Sequence, residues 1–94
     1  MEIKHEDNGK KGRFYIELDG TEEAEMVYSY AGAEKIIIEH TEVSEKLKGQ
    51  GVGIKLLEET VSFMRKNNLK AIPLCPFANA IFKKYRKKYE DVIA

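Results

Sequence analysis

Cysteine is almost absent from this sequence, since Cys75 is the only one among 94 residues. A single cysteine cannot form an internal disulfide, so we expect a protein of the reducing cytoplasm. The two histidines, His5 and His40, lie far from Cys75 and from each other, and no spacing typical of zinc ligands results. The sequence therefore argues against both a disulfide-stabilised secreted domain and a metal site.

Net charge and long apolar runs are also lacking. Basic and acidic residues number 16 each, so the chain has no formal net charge. A neutral chain is not drawn to nucleic acid or to an anionic membrane, and we expect neither as a partner. No apolar segment approaches the length of a membrane span, and the polar N-terminus lacks the apolar core of a signal peptide. The hydrophobic content of 43% predicts one globular domain over residues 1–94, as a monomer or weak dimer.

The first half of the chain is patterned as strands joined by tight turns. The predicted strands are Ile3–Glu6, Arg13–Leu18, Ala24–Ala31 and Lys35–Val43. The dipeptides Asn8-Gly9 and Asp19-Gly20 are typical of β-hairpin turns. The continuous apolar run Ile36–Ile38 predicts that the fourth strand is covered on both faces of the sheet.

In the second half the apolar period becomes that of a helix. The spacing predicts a helix over Gly51–Asn67, a strand over Leu69–Leu74 and a final helix over Phe77–Lys88. A strand, a helix and a strand in succession predict a parallel strand pair. Pro73 has no N–H to donate, so it belongs at a sheet edge or beside a gap in the sheet. The predicted fold class is α+β, an antiparallel meander continuing into a parallel pair, with helices packed on the sheet.

Three glycines at alternate positions, Gly49, Gly51 and Gly53, separate the fourth strand from the first helix. Such a loop leaves N–H groups free at the helix N-terminus, where the helix dipole favours an anion. No Gly-Lys-Ser/Thr closes the loop, and its spacing differs from a dinucleotide-binding fingerprint. Two interpretations remain. Three alternate glycines favour a phosphate-binding loop, and the alternative is a flexible turn with a glycine placed for close helix packing.

A family resemblance rests on three segments of the sequence. Lys48–Gly53, between a strand and a helix, resembles the acetyl-CoA pyrophosphate loop of the GNAT superfamily of N-acetyltransferases. The family pattern is Gln/Arg-x-x-Gly-x-Gly/Ala, so Lys48 departs from the usual first residue but keeps its positive charge. Together with His40–Val43 and Pro73–Phe77, the loop resembles a subgroup of short, single-domain GNAT-like proteins.

The resemblance implies acetyl-CoA (coenzyme A) as the cofactor and a splayed pair of parallel strands that receives its pantetheine arm. Thr41, Glu42 and Val43 would lie along that arm, with the N–H of Val43 polarising the thioester carbonyl. The remaining cofactor-binding candidates are Lys48, Gly49, Gln50, Gly51, Val52 and Gly53, around the pyrophosphate, and Asn79 in the last helix.

Three side chains are candidates for the chemistry, each with a structural alternative. Cys75 is either a nucleophile near the cofactor sulfur or a small buried apolar residue. Tyr85 resembles the tyrosine that protonates the leaving thiolate in larger GNAT enzymes, but it follows Asn79 one residue too soon. Its position on the apolar helix side favours a place in the core. His40 is either a general base, with Glu42 acting through water as the alternative, or a structural strand residue.

The resemblance implies acetyl-CoA-dependent N-acetyl transfer. Direct attack needs only a deprotonated amine, a positioned thioester and a polarised carbonyl. The extra N-terminal helices that shape the acceptor site of larger GNAT enzymes have no counterpart here. We therefore expect an open acceptor site, suited to a protein or peptide amine. The alternative is a non-catalytic CoA or acyl-CoA sensor or interaction module, because the glycine loop serves both functions.

Overall fold

The strands pair with one another in the order in which they occur along the chain. The computed structural model describes residues 1–94. Its elements are β1 (Lys4–Asp7), β2 (Lys11–Leu18), β3 (Thr21–Tyr30), β4 (Lys35–Val43), a 3-10 helix (Glu45–Leu47), α1 (Val52–Lys66), β5 (Lys70–Pro73), α2 (Pro76–Lys84) and α3 (Arg86–Tyr89). The five strands form one sheet in the order β1-β2-β3-β4-β5, antiparallel except for the parallel pair β4–β5. The predicted α+β fold is confirmed.

Turn residues set the register of the N-terminal strands. The side chain of Asn8 accepts hydrogen bonds from the N–H groups of Lys10 and Lys11, each at 2.9 Å. Asp19 has a φ of 51°, a left-handed conformation that aspartate tolerates better than most residues in a hairpin turn. Both predicted hairpin turns are therefore present, and the register of β2 on β3 shifts once, at a bulge between Ile16 and Glu17.

The helices cover only one face of the sheet. Along β3, Met26 and Tyr28 are fully buried, whereas Glu25 and Val27 between them are partly exposed. Helix α1 contacts β2, β3 and β4, and α2 contacts β4 and β5. The prediction that Ile36–Ile38 is covered on both faces is wrong. Ile36 and Ile38 point into the core, but Ile37 is partly exposed because no element of residues 1–94 packs over the second face.

We call that second face the open face. Strand alternation and ion pairs place on it Lys4, Glu6, Lys11, Arg13, Tyr15, Glu17, Glu22, Glu25, Val27, Ser29, Lys35, Ile37, Glu39, His40, Glu42, Lys70 and Ile72. Arg13 connects three of its strands, because its guanidinium pairs with Glu6 at 3.0 Å, Glu22 at 2.6 Å and Glu25 at 3.1 Å.

The core lies between α1 and the covered face of the sheet. Leu56, Leu57 and Met64 of α1 are fully buried, and each apolar side chain of this size contributes roughly 1.5–3 kcal/mol when removed from water. Thr60 is fully buried in this core, and its hydroxyl donates to the Leu56 carbonyl at 2.9 Å. None of the helices combines the length and apolar character needed to cross a membrane.

Strands β4 and β5 pair over only part of their length. Their ladder ends where Ile38 meets Pro73, and the N–H groups of Leu74 and Cys75 both donate to the Ile38 carbonyl, at 3.1 and 3.0 Å. The chain then turns into α2 and leaves residues 39–43 of β4 without a partner on that side. We call this opening the gap. Pro73 lies beside it, as predicted, because a residue without an N–H is tolerated where the ladder ends.

The last predicted helix is in fact two helices. Helix α2 ends at Lys84, and Tyr85, with φ −116° and ψ 46°, interrupts the helix before α3 begins. The prediction that Tyr85 belongs to the core is wrong, since it is 45% exposed. Phe82 and Tyr89 fill the core instead, with ring centroids 5.1 Å apart. Beyond α3, Ile93 forms a parallel bridge with Ala71 and extends the sheet past β5.

Candidate functional site

A cavity of about 740 Å³ opens where the gap meets the N-terminus of α1. Its walls come from the start of β3, the end of β4, the glycine loop, the first turn of α1 and one residue of α2. The lining segments are Glu22–Glu25, Thr41–Ser44, Leu47–Gly49, Gly51–Ile54 and Phe77. A volume of this size is within the range of small-molecule binding sites, so the cavity is the principal candidate site of the molecule.

The edge of β4 presents backbone groups to the gap. The N–H of Ser44 donates to the Glu23 carbonyl across the β3–β4 ladder at 2.8 Å. Because hydrogen-bonding direction alternates along an antiparallel strand, the N–H groups of Thr41 and Val43 point the opposite way, into the gap. A bulge at Glu39, which has no opposite residue between Val27 and Tyr28, produces this alternation. An extended ligand can therefore pair with β4 as a strand would.

The N-terminus of α1 offers a second set of free donors. The first intrahelical hydrogen bond runs from the Lys55 N–H to the Gly51 carbonyl at 3.2 Å, so Val52, Gly53 and Ile54 have no intrahelical acceptor. Gly51 caps the helix in a left-handed conformation, φ 70°, without a side chain that could take up these donors. The first turn contains no acidic residue, so the positive end of the helix dipole is not neutralised. These features favour an anion such as a phosphate.

The glycines of the loop differ in what surrounds them. A β-carbon at Gly51 would meet nothing within 4 Å, so the space over the loop is open to a ligand. A β-carbon at Gly53 would lie 2.9 Å from Cζ of Phe77, closer than side chains normally approach. Gly53 therefore allows α1 and α2 to pack together, as the close-packing interpretation expected of one glycine, and phosphate binding by the loop stays a prediction.

Most of the predicted cofactor-binding residues come together in this cavity. Its lining includes Thr41, Glu42, Val43, Lys48, Gly49, Gly51, Val52 and Gly53. Gln50 does not line it, because its side-chain amide donates to the Lys46 carbonyl at 3.3 Å. Asn79 also lies outside the lining, in the first turns of α2, where its N–H donates to the Cys75 carbonyl at 2.9 Å. The Lys48 ammonium pairs with Glu45 at 2.7 Å in an exposed position, where such a pair is weak and easily exchanged.

The three catalytic candidates are not brought together. Cys75 is 2% exposed, and its Sγ lies 3.3 Å from Oγ1 of Thr41, at the edge of the gap. The side chain of His40 is 49% exposed on the open face, with Nε2 3.4 Å from a carboxylate oxygen of Glu25. Tyr85 lies between α2 and α3 and does not line the cavity. No three His, Cys, Asp or Glu side chains are grouped as metal ligands would be.

Sequence reasoning missed several lining residues. Ser44 follows the predicted strand directly, and its Oγ is a buried hydroxyl without a hydrogen-bond partner in the protein. Such an atom is costly unless a ligand or water satisfies it, so Ser44 is a candidate donor to the ligand. Glu22 and Glu25 line the cavity because β3 pairs with the end of β4. No local pattern marks Glu25, because its position opposite Glu42 depends on the bulge at Glu39.

Comparison with known proteins agrees with this geometry. The sequence model of the family described as GCN5-related N-acetyl-transferase matches residues 13–92. The solution structure of a GCN5-like protein from Staphylococcus aureus is 41% identical and superposes with a TM-score of 0.77, covering 99% of this chain and 87% of that one. Protein NATD1 of Xenopus tropicalis is 30% identical over 74 residues, which are 78% of this chain and 68% of that protein.

A more distant structure shows the same fold. A GNAT family acetyltransferase from Elizabethkingia anophelis, determined with acetyl-CoA bound, is 17% identical with a TM-score of 0.63. The match covers 84% of this chain and 53% of that one. The family match spans most of the chain, including the two strands that border the gap and the glycine loop. The chain therefore belongs to the GCN5-related N-acetyltransferase family.

Proposed function

We propose that this protein transfers the acetyl group of acetyl-CoA to an amine of a protein or peptide. The observation that carries the proposal is that an unpaired strand edge and a free helix N-terminus meet in one cavity. The first suits an extended, amide-containing chain and the second suits a phosphate group. Few ligands contain both, and acetyl-CoA, with pantetheine and pyrophosphate parts, is the one used by the family.

The residues present fit this ligand. The N–H groups of Val52, Gly53 and Ile54 are unpaired within the helix and would receive the pyrophosphate, with the Lys48 ammonium nearby. The unsatisfied hydroxyl of Ser44 would gain a partner. Open space over Gly51 leaves room for the phosphate oxygens, so no side chain has to move.

The chemistry asks little of the protein. In direct transfer the amine nitrogen bonds to the acetyl carbon, the carbon–sulfur bond of the thioester breaks with CoA leaving as the thiolate, and the proton of the amine passes to a base. An N–H that points into the gap would stabilise the negative charge on the carbonyl oxygen, and by the family resemblance this donor is Val43. His40 is the candidate base, held by Glu25 on the open face.

Two glycine variants test the cofactor site. Gly51→Val should abolish acetyl-CoA binding, because valine resists the left-handed conformation and its side chain would enter the space above the loop. Gly32→Val is the matched control. Gly32 also has a positive φ, 84°, and open space around it, but it lies in the β3–β4 turn, outside the cavity.

Calorimetric titration with CoA and acetyl-CoA, together with thermal unfolding, would separate binding from folding. Loss of binding in folded Gly51→Val, but not in Gly32→Val, is the expected result. Equal affinity in both variants would refute the assignment of the loop. Turnover of acetyl-CoA with a panel of amines and peptides then tests the transfer itself.

A second candidate function is a non-catalytic sensor of CoA or acyl-CoA. The observation that favours it is that Tyr85 and Asn79 do not line the cavity, which therefore lacks a tyrosine to protonate a leaving thiolate. A sensor would bind acetyl-CoA without turning it over in the presence of any amine. Transfer to even one amine at a rate above the uncatalysed reaction would decide for the enzyme.

A further inference from the structure

Over β1 to β3 and the end of β4, the open face carries more carboxylates than cations. The carboxylates there are Glu6, Glu17, Glu22, Glu25, Glu39 and Glu42, and the cations are Lys4, Lys11 and Arg13. The chain as a whole has no formal net charge, so this excess of negative charge is balanced elsewhere on the molecule. Two more lysines of the open face, Lys35 and Lys70, lie at its far end, where β4 and β5 begin, away from the gap.

The internal ion pairs leave that excess in place. Arg13 is shared by three carboxylates, and Lys11 pairs with Glu39 at 3.6 Å. Glu42 is exposed and takes part in no ion pair, although it is the carboxylate that lines the cavity at the end of β4. A cation that approaches this face therefore meets carboxylates whose charge is only partly neutralised.

The open face is continuous with the candidate site. Glu25 and Glu42 line the cavity and also belong to the face. On the far side of the gap, Ile72 is partly exposed and Leu74 is 66% exposed, one of few large apolar side chains left in solvent. Because no element of residues 1–94 packs over the open face, an acceptor can approach the gap across it.

We propose that the open face binds a lysine- and arginine-rich peptide segment and so selects basic protein segments as acetyl acceptors. The acceptor role rests on the proposed function, whereas the binding itself does not require it. The carboxylates belong to four neighbouring strands, which are about 4.8 Å apart, so the charged surface spans about 14 Å. One small amine cannot cover that distance, but an extended peptide with cations at alternate residues, roughly 7 Å apart, can contact several carboxylates at once.

The test measures peptide binding without cofactor. The probes are two fluorescein-labelled peptides of about ten residues with a central lysine. Each has an alternating sequence that favours an extended conformation. One has arginine and the other glutamate at the alternate positions. We expect the arginine peptide to bind at least about tenfold more tightly by fluorescence anisotropy, with a preference that is largely lost near 0.5 M salt, because screening weakens exposed charge pairs.

Charge variants locate the binding surface. Glu17→Gln/Glu39→Gln removes two carboxylates of the open face that do not line the cavity, and Glu59→Gln/Glu90→Gln removes two exposed carboxylates of the helical side. The first should weaken the arginine peptide several-fold and the second should not. Unchanged thermal unfolding midpoints show that both variants are folded.

Equal binding of the two peptides, or equal losses in the two variants, would overturn the inference. These outcomes are distinct from failure of the proposed function. If no amine is acetylated but the arginine peptide binds the open face, the acetyltransferase proposal fails alone. If amines are acetylated without regard to flanking charge, the selection of basic segments fails alone.

Discussion

Replacing Gly53 by alanine has two opposite effects on the free energy of unfolding, and the size of each is known. Alanine has the higher helix propensity, by at most about 1 kcal/mol. Against it stands the contact with Phe77, whose Cζ would be 2.9 Å from the new β-carbon, where ordinary contact begins at 3.4 Å. The ring must therefore withdraw by about half an ångström, and overpacking of this kind costs roughly 1–3 kcal/mol.

The structure decides where in that range the cost falls. The atoms in contact are the far end of the Phe77 side chain, which is only partly buried and faces the cavity. Because the ring can swing toward open space, we expect a cost near 1 kcal/mol and an almost unchanged free energy of unfolding. The displaced ring then occupies part of the cavity, so CoA affinity should fall several-fold while stability does not.

A double-mutant cycle with Phe77→Leu measures this contact directly. Leucine lacks the ring atoms nearest Gly53, so in that background Gly53→Ala should raise the free energy of unfolding by the full propensity term, about 1 kcal/mol. The coupling energy, from urea unfolding of the four proteins, should then be about 1 kcal/mol. A stabilisation of that size in both backgrounds would show that the two residues do not collide. A loss in both would place the obstacle elsewhere.

Three further changes have definite outcomes. Burial lowers the pKa of His5 below its usual 6.5, so the unfolded chain binds the proton more readily than the folded one. The free energy of unfolding should therefore decrease as pH falls below about 6.5. In His5→Gln the urea midpoint of unfolding should change less between about pH 7.5 and 5.5. Burial raises the pKa of Asp7, but hydrogen bonds from Tyr28, Tyr30 and the Gly9 N–H outweigh burial and lower the pKa below its usual 3.8. The ionised Asp7 therefore stabilises the fold above about pH 3.8, and Asp7→Asn should lose that contribution. If Cys75 takes the acetyl group, incubation with acetyl-CoA alone should add one acetyl to that residue by mass spectrometry, and Cys75→Ala should bind CoA but lose transfer. Full transfer activity in Cys75→Ala would instead leave direct attack as the mechanism and the thiol as core packing.

Local patterns predicted the parts of the fold that local chemistry controls. The bounds of β4, Lys35–Val43, agree with the predicted strand, and α1, Val52–Lys66, ends within one residue of the predicted Asn67. The prediction that Ile36–Ile38 is covered on both faces failed because apolar side chains alone do not reveal how many layers cover a sheet. The prediction that Tyr85 lies in the core failed because neither glycine nor proline marks the break between α2 and α3, which depends on tertiary packing.

The candidate site also has a part that local sequence predicts and a part that depends on tertiary structure. The glycine loop was readable because Gly51 needs a left-handed backbone and the spacing is local. The unsatisfied Oγ of Ser44 and the cavity position of Glu25 were not, because both depend on how β3 and β4 align. The excess of carboxylates on the open face over β1 to β3 and the end of β4 was hidden by the neutral composition, since a count of charges contains no information on which side of a sheet they lie.

Because the strands pair in the order in which they are synthesised, the sheet can form by successive closure of short loops. Such closures cost little chain entropy and are fast, whereas the parallel β4–β5 pair has to wait until α1 has formed and docked. We therefore expect substitutions at Met26, in the β3 centre, to slow refolding, and substitutions at Ala71, in β5, mainly to accelerate unfolding. The gap is then the last part of the molecule to assemble and the first to open. A ligand bound there should lengthen the lifetime of the native state while leaving the rate of its formation almost unchanged.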